Sequence, residues 1–190
     1  GEFGKEGVLG LLKTHPEIRF VSLVGIDLAG NDTDEKVPIE LFLKNYDDFF
    51  AGTAVQTDGS SVVLMNIATL NDARVDMVAD ASVNWYIDYN EDNLYSNGRP
   101  VGTLRIPCFL LHNGKFIDSR SILKESCAFV AEKLKGLLAS GKPVKGMEDL
   151  PVDEIEDIKF TIGTELEFWV KTPSETETVQ HLSISQRLQE

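Results

Sequence analysis

The chain has 190 residues, 42% hydrophobic and 26% charged, a composition too apolar for disorder and enough for one ordinary domain or a small domain with part of another. Acidic residues outnumber basic ones by 31 to 18, a formal charge of −13 that no Lys/Arg cluster interrupts, which argues against nucleic acid or an anionic membrane surface as a partner. No apolar run approaches the roughly 18–20 residues of a membrane span and no basic-then-apolar leader opens the chain, so it reads as cytoplasmic.

Gly1-Glu2-Phe3-Gly4, without a methionine, reads as a cloning remnant. Residues 5–14 form a short amphipathic helix pattern around Val8, Leu9, Leu11 and Leu12, stopped by Pro16. Ile18 to Leu28 is β-branched and apolar on both faces, the pattern of a central strand, and Gly30-Asn31 supplies turn chemistry after it. Val37-Pro38-Ile39 reads as the next strand, with Pro38 at an edge or end. Leu41, Phe42 and Tyr46 then predict a short helix leading into Asp47-Asp48-Phe49-Phe50. Further strands are predicted at Ala73 to Val78, Val83 to Asp88 and Thr103 to Leu111, with Asn90 to Pro100 as a polar insertion and Asn113-Gly114 as a closing turn.

The period then changes. Leu123, Cys127, Val130, Leu134 and Leu137 are spaced four, three, four and three, an apolar seam on one helix face. Asp118, Ser119 or Ser121 can cap its start, and Gly141 and Pro143 stop it. Residues 143–157 read as an acidic surface connection, and Lys159 to Val170 as a strand. The last residues, Gln186 to Glu190, still read as helix, so the chain is expected to be a fragment. The two cysteines, Cys108 and Cys127, are expected to be buried free thiols, since neither zinc spacing nor a disulfide framework is present. Several short strands with one or two helices against them indicate a small α+β sheet domain.

Two clusters can carry chemistry. In a strand, Glu165 and Glu167 would share one face while Leu166, Phe168 and Val170 share the other. Carboxylates so placed, about 7 Å apart at the Cα atoms, can hold neighbouring hard cations of the kind that stabilise phosphoryl transfer. Glu-x-Glu also occurs at Glu154/Glu156 and Glu175/Glu177, but only the middle copy is embedded in an apolar strand pattern. The second cluster is Asp58-Gly59-Ser60-Ser61, where Gly59 permits a sharp turn that would project Asp58 and Ser61 from a loop tip. A carboxylate there can bind an ammonium and accept its proton, with the hydroxyl orienting it. His15, His112 and His181 are dispersed, and no phosphate-binding glycine loop or serine nucleophile elbow is present.

Taken in order, four pieces resemble the glutamine synthetase family. They are Phe20 to Leu23 with Asp27-Leu28-Ala29-Gly30 and Val37-Pro38-Ile39; Asp58-Gly59-Ser60-Ser61 with Asp72 and Asp80 after it; Ile106 to Leu111 with Asp118-Ser119-Arg120; and Gly163-Thr164-Glu165-Leu166-Glu167-Phe168. The resemblance implies a β-grasp-like amino-terminal domain over residues 18–115, preceded by a remnant and short helix over 1–17, and the truncated start of a catalytic domain over 116–190. It implies that Asp58 binds and deprotonates ammonium, that Ser61 neighbours it, and that Glu165 and Glu167 are metal ligands for Mg2+ or Mn2+. The implied reaction is ATP-dependent phosphorylation of the glutamate side-chain carboxylate followed by displacement of phosphate by ammonia. The implied assembly is a homo-oligomeric ring with active sites between neighbouring subunits, and most nucleotide contacts are expected beyond residue 190, so the fragment itself should be inactive. The chain departs from the pattern at Thr57, where an aromatic is usual, at Val62-Val63-Leu64, at Ser119 in place of proline, and in the insertion from Asn90 to Pro100. The departures around Asp58 flank the amine side, which leaves a glutamate ligase with another acceptor amine open, alongside a non-catalytic regulatory relative.

Overall fold

A computed structural model describes residues 4–142, 145–146, 148–149, 155–165 and 167, in two compact units, Gly1–Val152 and Asp153–Glu190. The first unit carries all the regular secondary structure described. Helix α1 (Lys5–Thr14) forms as its apolar spacing predicts and sends Val8 into the core. Strand β1 (Ile18–Ile26) follows, with Ile18, Val21 and Leu23 buried, then β2 (Asp32–Pro38) as its antiparallel neighbour. The predicted strand at Val37 to Ile39 is the end of β2; Pro38 stands at the strand's last position, where its missing N–H costs no ladder bond, and Ile39 opens α2 (Ile39–Lys44). Helix α3 (Tyr46–Ala51) completes the helical pair, and Phe42 meets Phe49 edge-to-face at 4.9 Å, both rings buried.

The remaining strands are β3 (Gln56–Asp58), β4 (Arg74–Ala79), β5 (Tyr86–Leu94), β6 (Pro100–His112) and β7 (Lys115–Phe116). They form a mixed α+β fold around one sheet of order β2-β1-β6-β4-β3. The 13-residue β6 is its axis: the first half lies parallel to β1 on one edge and antiparallel to β5 on the other, and the second half pairs with β4 and β7. Alternation along β6 and β4 turns Leu104, Ile106, Cys108, Leu110, Val75, Met77 and Ala79 inward, where the helices supply Ile39, Phe42 and Phe49. Burying each large apolar side chain there contributes about 1.5–3 kcal/mol before entropy is counted. The polar stretch from Asn90 to Pro100 is not an excursion from the sheet but the far half of β5 and a tight hairpin, closed by Tyr95 N–H on Arg99 O and Gly98 N–H on Tyr95 O. Every residue from Asp88 to Leu94 is exposed, so neither strand face there has a layer over it and polar side chains are accommodated.

Glu17 fastens that hairpin. It is almost fully buried, and its carboxylate accepts from Asn97 Nδ2 at 3.0 Å and Arg99 Nη1 at 3.2 Å, with His15 Nδ1 at 3.1 Å. Burial alone would raise its pKa, but its own backbone N–H, His15, Asn97 and Arg99 outweigh that and hold it at about 2 against an ordinary value of 4.5. A carboxyl lowered on folding stabilises the fold above its unfolded value, and that contribution is lost as pH falls through its folded one. The melting temperature is therefore expected to drop between pH 4.5 and about 2, and less steeply in Glu17→Gln; parallel acid profiles for the two proteins would refute this assignment.

Helix α4 (Ser119–Ala139) starts where the capping residues predict. Asp118 is fully buried and accepts from Ser121 N at 2.8 Å, Ser121 Oγ at 2.7 Å and Leu110 N at 3.0 Å, so one carboxylate joins the cap to β6. Arg120 adds an ion pair to the buried Asp80 at 2.6 Å and lies over the Phe109 ring. The predicted seam forms on the helix, but Leu123, Val130 and Leu137 on it are exposed and Cys127 is only part-buried. Cys108 is buried as expected, and burial pushes its thiol well up, leaving it unreactive. Among the described residues no helix is long and apolar enough to cross a membrane.

In the second unit, residues 155–165 and 167 have no regular secondary structure. The strand expected at Lys159 to Val170 is thus not formed among the described residues, and Ile162 is 87% exposed. A strand needs a neighbour for its N–H and C=O groups, and every described ladder lies between Ile18 and Phe116. Leu166 and residues 168–170 of that expectation lie outside the described residues.

Candidate active site around Asp58

Asp58 ends β3, the last strand of the sheet order, and caps a three-residue 3-10 turn, Gly59–Ser61. Its carboxylate is exposed, and Oδ1 accepts from Ser60 N at 2.8 Å. That backbone bond, and the Ser60 hydroxyl after it, hold the carboxyl below the usual aspartate range, so it is ionised and acceptor-only at neutral pH. Ser61 stands exposed on the same turn, and its carbonyl accepts from Thr33 Oγ1 at 3.0 Å.

The turn is built from beneath. Gly59 is needed for space, not for a left-handed backbone: a Cβ there would lie 2.2 Å from Leu70 O and 2.6 Å from Leu70 Cβ, and Gly59 N–H donates to Ala73 O at 2.7 Å. Gly59→Ala is expected to cost about 1–3 kcal/mol by forcing these backbones apart, seen as a lower melting temperature. An unchanged melting temperature would mean the turn is loose.

The second support is Asp27, fully buried at the end of β1. Oδ1 accepts from Ala29 N and Asn31 N, both at 2.9 Å; Oδ2 accepts from Asn31 Nδ2 at 3.1 Å and Val63 N at 2.9 Å. Leu28 N–H returns a bond to Val63 O at 3.2 Å. Burial alone would raise this carboxyl, but the bonds from Val63, Asn31 and Ala29 hold it below its usual range. One ionised side chain thus ties the end of β1 to the segment that follows the Asp58 turn. Sequence reasoning gave Asp27 no role; the available signal was an aspartate closing an apolar strand with Gly30-Asn31 behind it.

Among the departures near Asp58, Thr57 is 6% exposed because the strand alternation that turns Asp58 outward turns it inward, and Val62 and Leu64, beyond the strand, are also buried. Val63 is the exposed one of the three, followed by the exposed Met65 and Ile67. Met65, Asn66 and Asp72 have positive φ, a strained loop for non-glycine residues.

Glu165 and Glu167 lie in the second unit, exposed and outside any strand. Among the described residues no group of three or more His, Cys, Asp or Glu side chains could hold a metal ion. Two exposed carboxylates on an irregular segment fall well short of the six oxygens a hard divalent cation takes, so the described residues do not by themselves make a metal site.

No protein-family model and no curated protein sequence matches the chain. Among solved structures it is similar to a glutamine synthetase from Plasmodium falciparum, at 17% identity and a TM-score of 0.47. The similarity covers 67% of this chain and 22% of that one, so the chain spans about a fifth of the length of the structure it resembles.

Proposed function

We propose that this chain supplies the amine side of an ATP-dependent glutamate–ammonia ligase of the glutamine synthetase type. The observation that carries the reading is the Asp58 turn: an exposed, ionised carboxylate held on a backbone that Gly59 packing and the buried Asp27 make rigid. The ordered sequence motifs from Phe20 to Phe168 supply the family, with the sheet read as a β-grasp-like domain because β1 and the last long strand, β6, are its parallel central pair.

In this reading the glutamate side-chain carboxylate attacks the γ-phosphorus of ATP, ADP leaves, and an acyl phosphate forms. Ammonia then attacks the acyl carbon, phosphate leaves and the amide is made. Asp58 draws ammonium by charge and accepts its hydrogens. It takes one proton from ammonium, which frees the lone pair that attacks the acyl carbon, and the second proton leaves the nitrogen once it is bonded to carbon, to the departing phosphate or to water. Ser61 lies on the same turn to orient the nitrogen. Glu165 and Glu167 would join further carboxylates around Mg2+ or Mn2+, and neighbouring subunits of a ring would complete each site.

The test is phosphate release by the full-length gene product with ATP and glutamate, comparing ammonium with a panel of small amines. Release strongest with ammonium supports the reading. Preference for another amine would rename the enzyme as a glutamate–amine ligase, and no release with any amine would refute catalysis.

A further inference from the structure

The outer face of β3 and β4 carries charges that the chain does not use internally. Gln56 stands opposite Asp76 and Asp58 opposite Arg74 in the antiparallel ladder, so these four side chains share one face while Thr57 and Val75 between them turn into the core. Among the described residues, neither the Arg74 guanidinium nor the Asp76 carboxylate has a hydrogen bond or ion pair, with each other or with Asp58. A cavity of about 450 Å³ opens at this place, lined by Gly52, Thr53, Gln56, Arg74, Asp76 and Asn113.

One wall of the cavity is fixed by an internal relay. His112 Nδ1 lies 3.0 Å from Arg74 O, and His112 Nε2 lies 3.0 Å from Asn113 Nδ2. A carbonyl only accepts, so Nδ1 carries the proton, and Nε2 is left as a lone pair that takes an amide hydrogen from Asn113. The Asn113 amide oxygen therefore remains as an acceptor for a ligand.

We infer that this cavity binds a small zwitterion of the α-amino-acid class, its carboxylate on Arg74 and its ammonium on Asp76 and the Asn113 amide oxygen. A guanidinium matches a carboxylate in two parallel bonds, and an ammonium offers three donors, which a carboxylate and an amide oxygen can share. The cavity is larger than the zwitterionic head alone, and Thr53 and Gln56 border the space left for a polar side chain. Selection works by exclusion as well: a dicarboxylate would set one anion against Asp76, and a diamine one cation against Arg74. The inference does not rest on the ligase reading.

The test is titration of the chain with L-serine, followed through backbone amide NMR shifts, with lactate and ethanolamine as probes carrying one charge each. Saturable shifts at Arg74, Asp76 and Asn113 are expected with serine, and binding weaker by about tenfold or more with either single-charge probe. Arg74→Gln and Asp76→Asn should each weaken serine binding by about tenfold, with circular dichroism and melting temperature unchanged to show that the fold is intact. Three results would each overturn the inference: no saturable shifts, an equal response to lactate or ethanolamine, or loss of binding in Asp58→Ala with retention in Asp76→Asn, which would move the ligand to the Asp58 turn.

Discussion

On the proposed ligase reading, Asp58→Ala is expected to reduce amide formation by about 10²–10⁴-fold while ATP affinity stays near that of the unaltered protein. The range is that of removing a positioned proton acceptor, and here the loss of attraction for ammonium adds to it. The variant should fold, because the turn is held by Gly59 against Leu70 and Ala73 and by Asp27 on Val63, and the Asp58 carboxylate contributes only local bonds, to the Ser60 N–H and hydroxyl. Asp58→Asn separates charge from shape. It keeps an oxygen to cap Ser60 N and loses only the negative charge, so it should be nearly as impaired as the alanine variant. Activity near normal in Asp58→Asn would make Asp58 a structural cap, and parallel losses in ATP binding and amide formation in Asp58→Ala would place its effect elsewhere.

Asp27→Asn is expected to destabilise the fold by about 2–4 kcal/mol, a fall of roughly 5–15 °C in melting temperature for a chain of this size. The two carboxylate oxygens satisfy four donors on three residues, and asparagine keeps one oxygen and turns an NH2 toward the rest. The Val63 N–H and the Asn31 side-chain amide would then face an NH2 in place of the oxygen that now accepts from them. The effect should be local as well as global: the Val63 amide, bonded to Asp27 Oδ2 at 2.9 Å, should exchange with solvent much faster in the variant. Because Asp27 is held below its usual range when folded, its contribution is present above the unfolded aspartate value near 3.8 and lost as pH falls through the folded one. The difference between the unaltered protein and Asp27→Asn should therefore shrink in acid. A difference that stays constant down to pH 2 would show that shape rather than charge is at stake.

The two supports of the Asp58 turn have different visibility in the sequence. Gly59 is conspicuous, yet the usual reason for such a glycine, a left-handed turn, is not the reason here; the constraint comes from Leu70 and Ala73, which lie 11 and 14 residues onward. Asp27 and Val63 are 36 residues apart and share no local pattern at all. Similarly, Asp80 and Arg120 could be read only as members of an acidic stretch and a helix start until the fold set them 2.6 Å apart.

Period and punctuation alone determined the elements whose physics is local: α1 from its apolar spacing, the central strand from its β-branched run, β4 and β6 from alternation, the Asp118 cap and the start of α4. They also determined that Asp58 and Ser61 share one turn, since four consecutive residues leave little else possible. Tertiary structure decided what depends on partners. It assigned Asn90 to Leu94 to a strand because β6 was there to pair with it, and it gave no strand to the described residues from Lys159 to Glu165, for which no described ladder provides a neighbour. It also turned Thr57, Val62 and Leu64 inward and set Arg74 and Asp76 on the same outer face as Asp58. Local hydrogen bonding and side-chain period are written into a few neighbouring residues, whereas burial, register and charge pairing belong to contacts between residues that only the folded chain brings together.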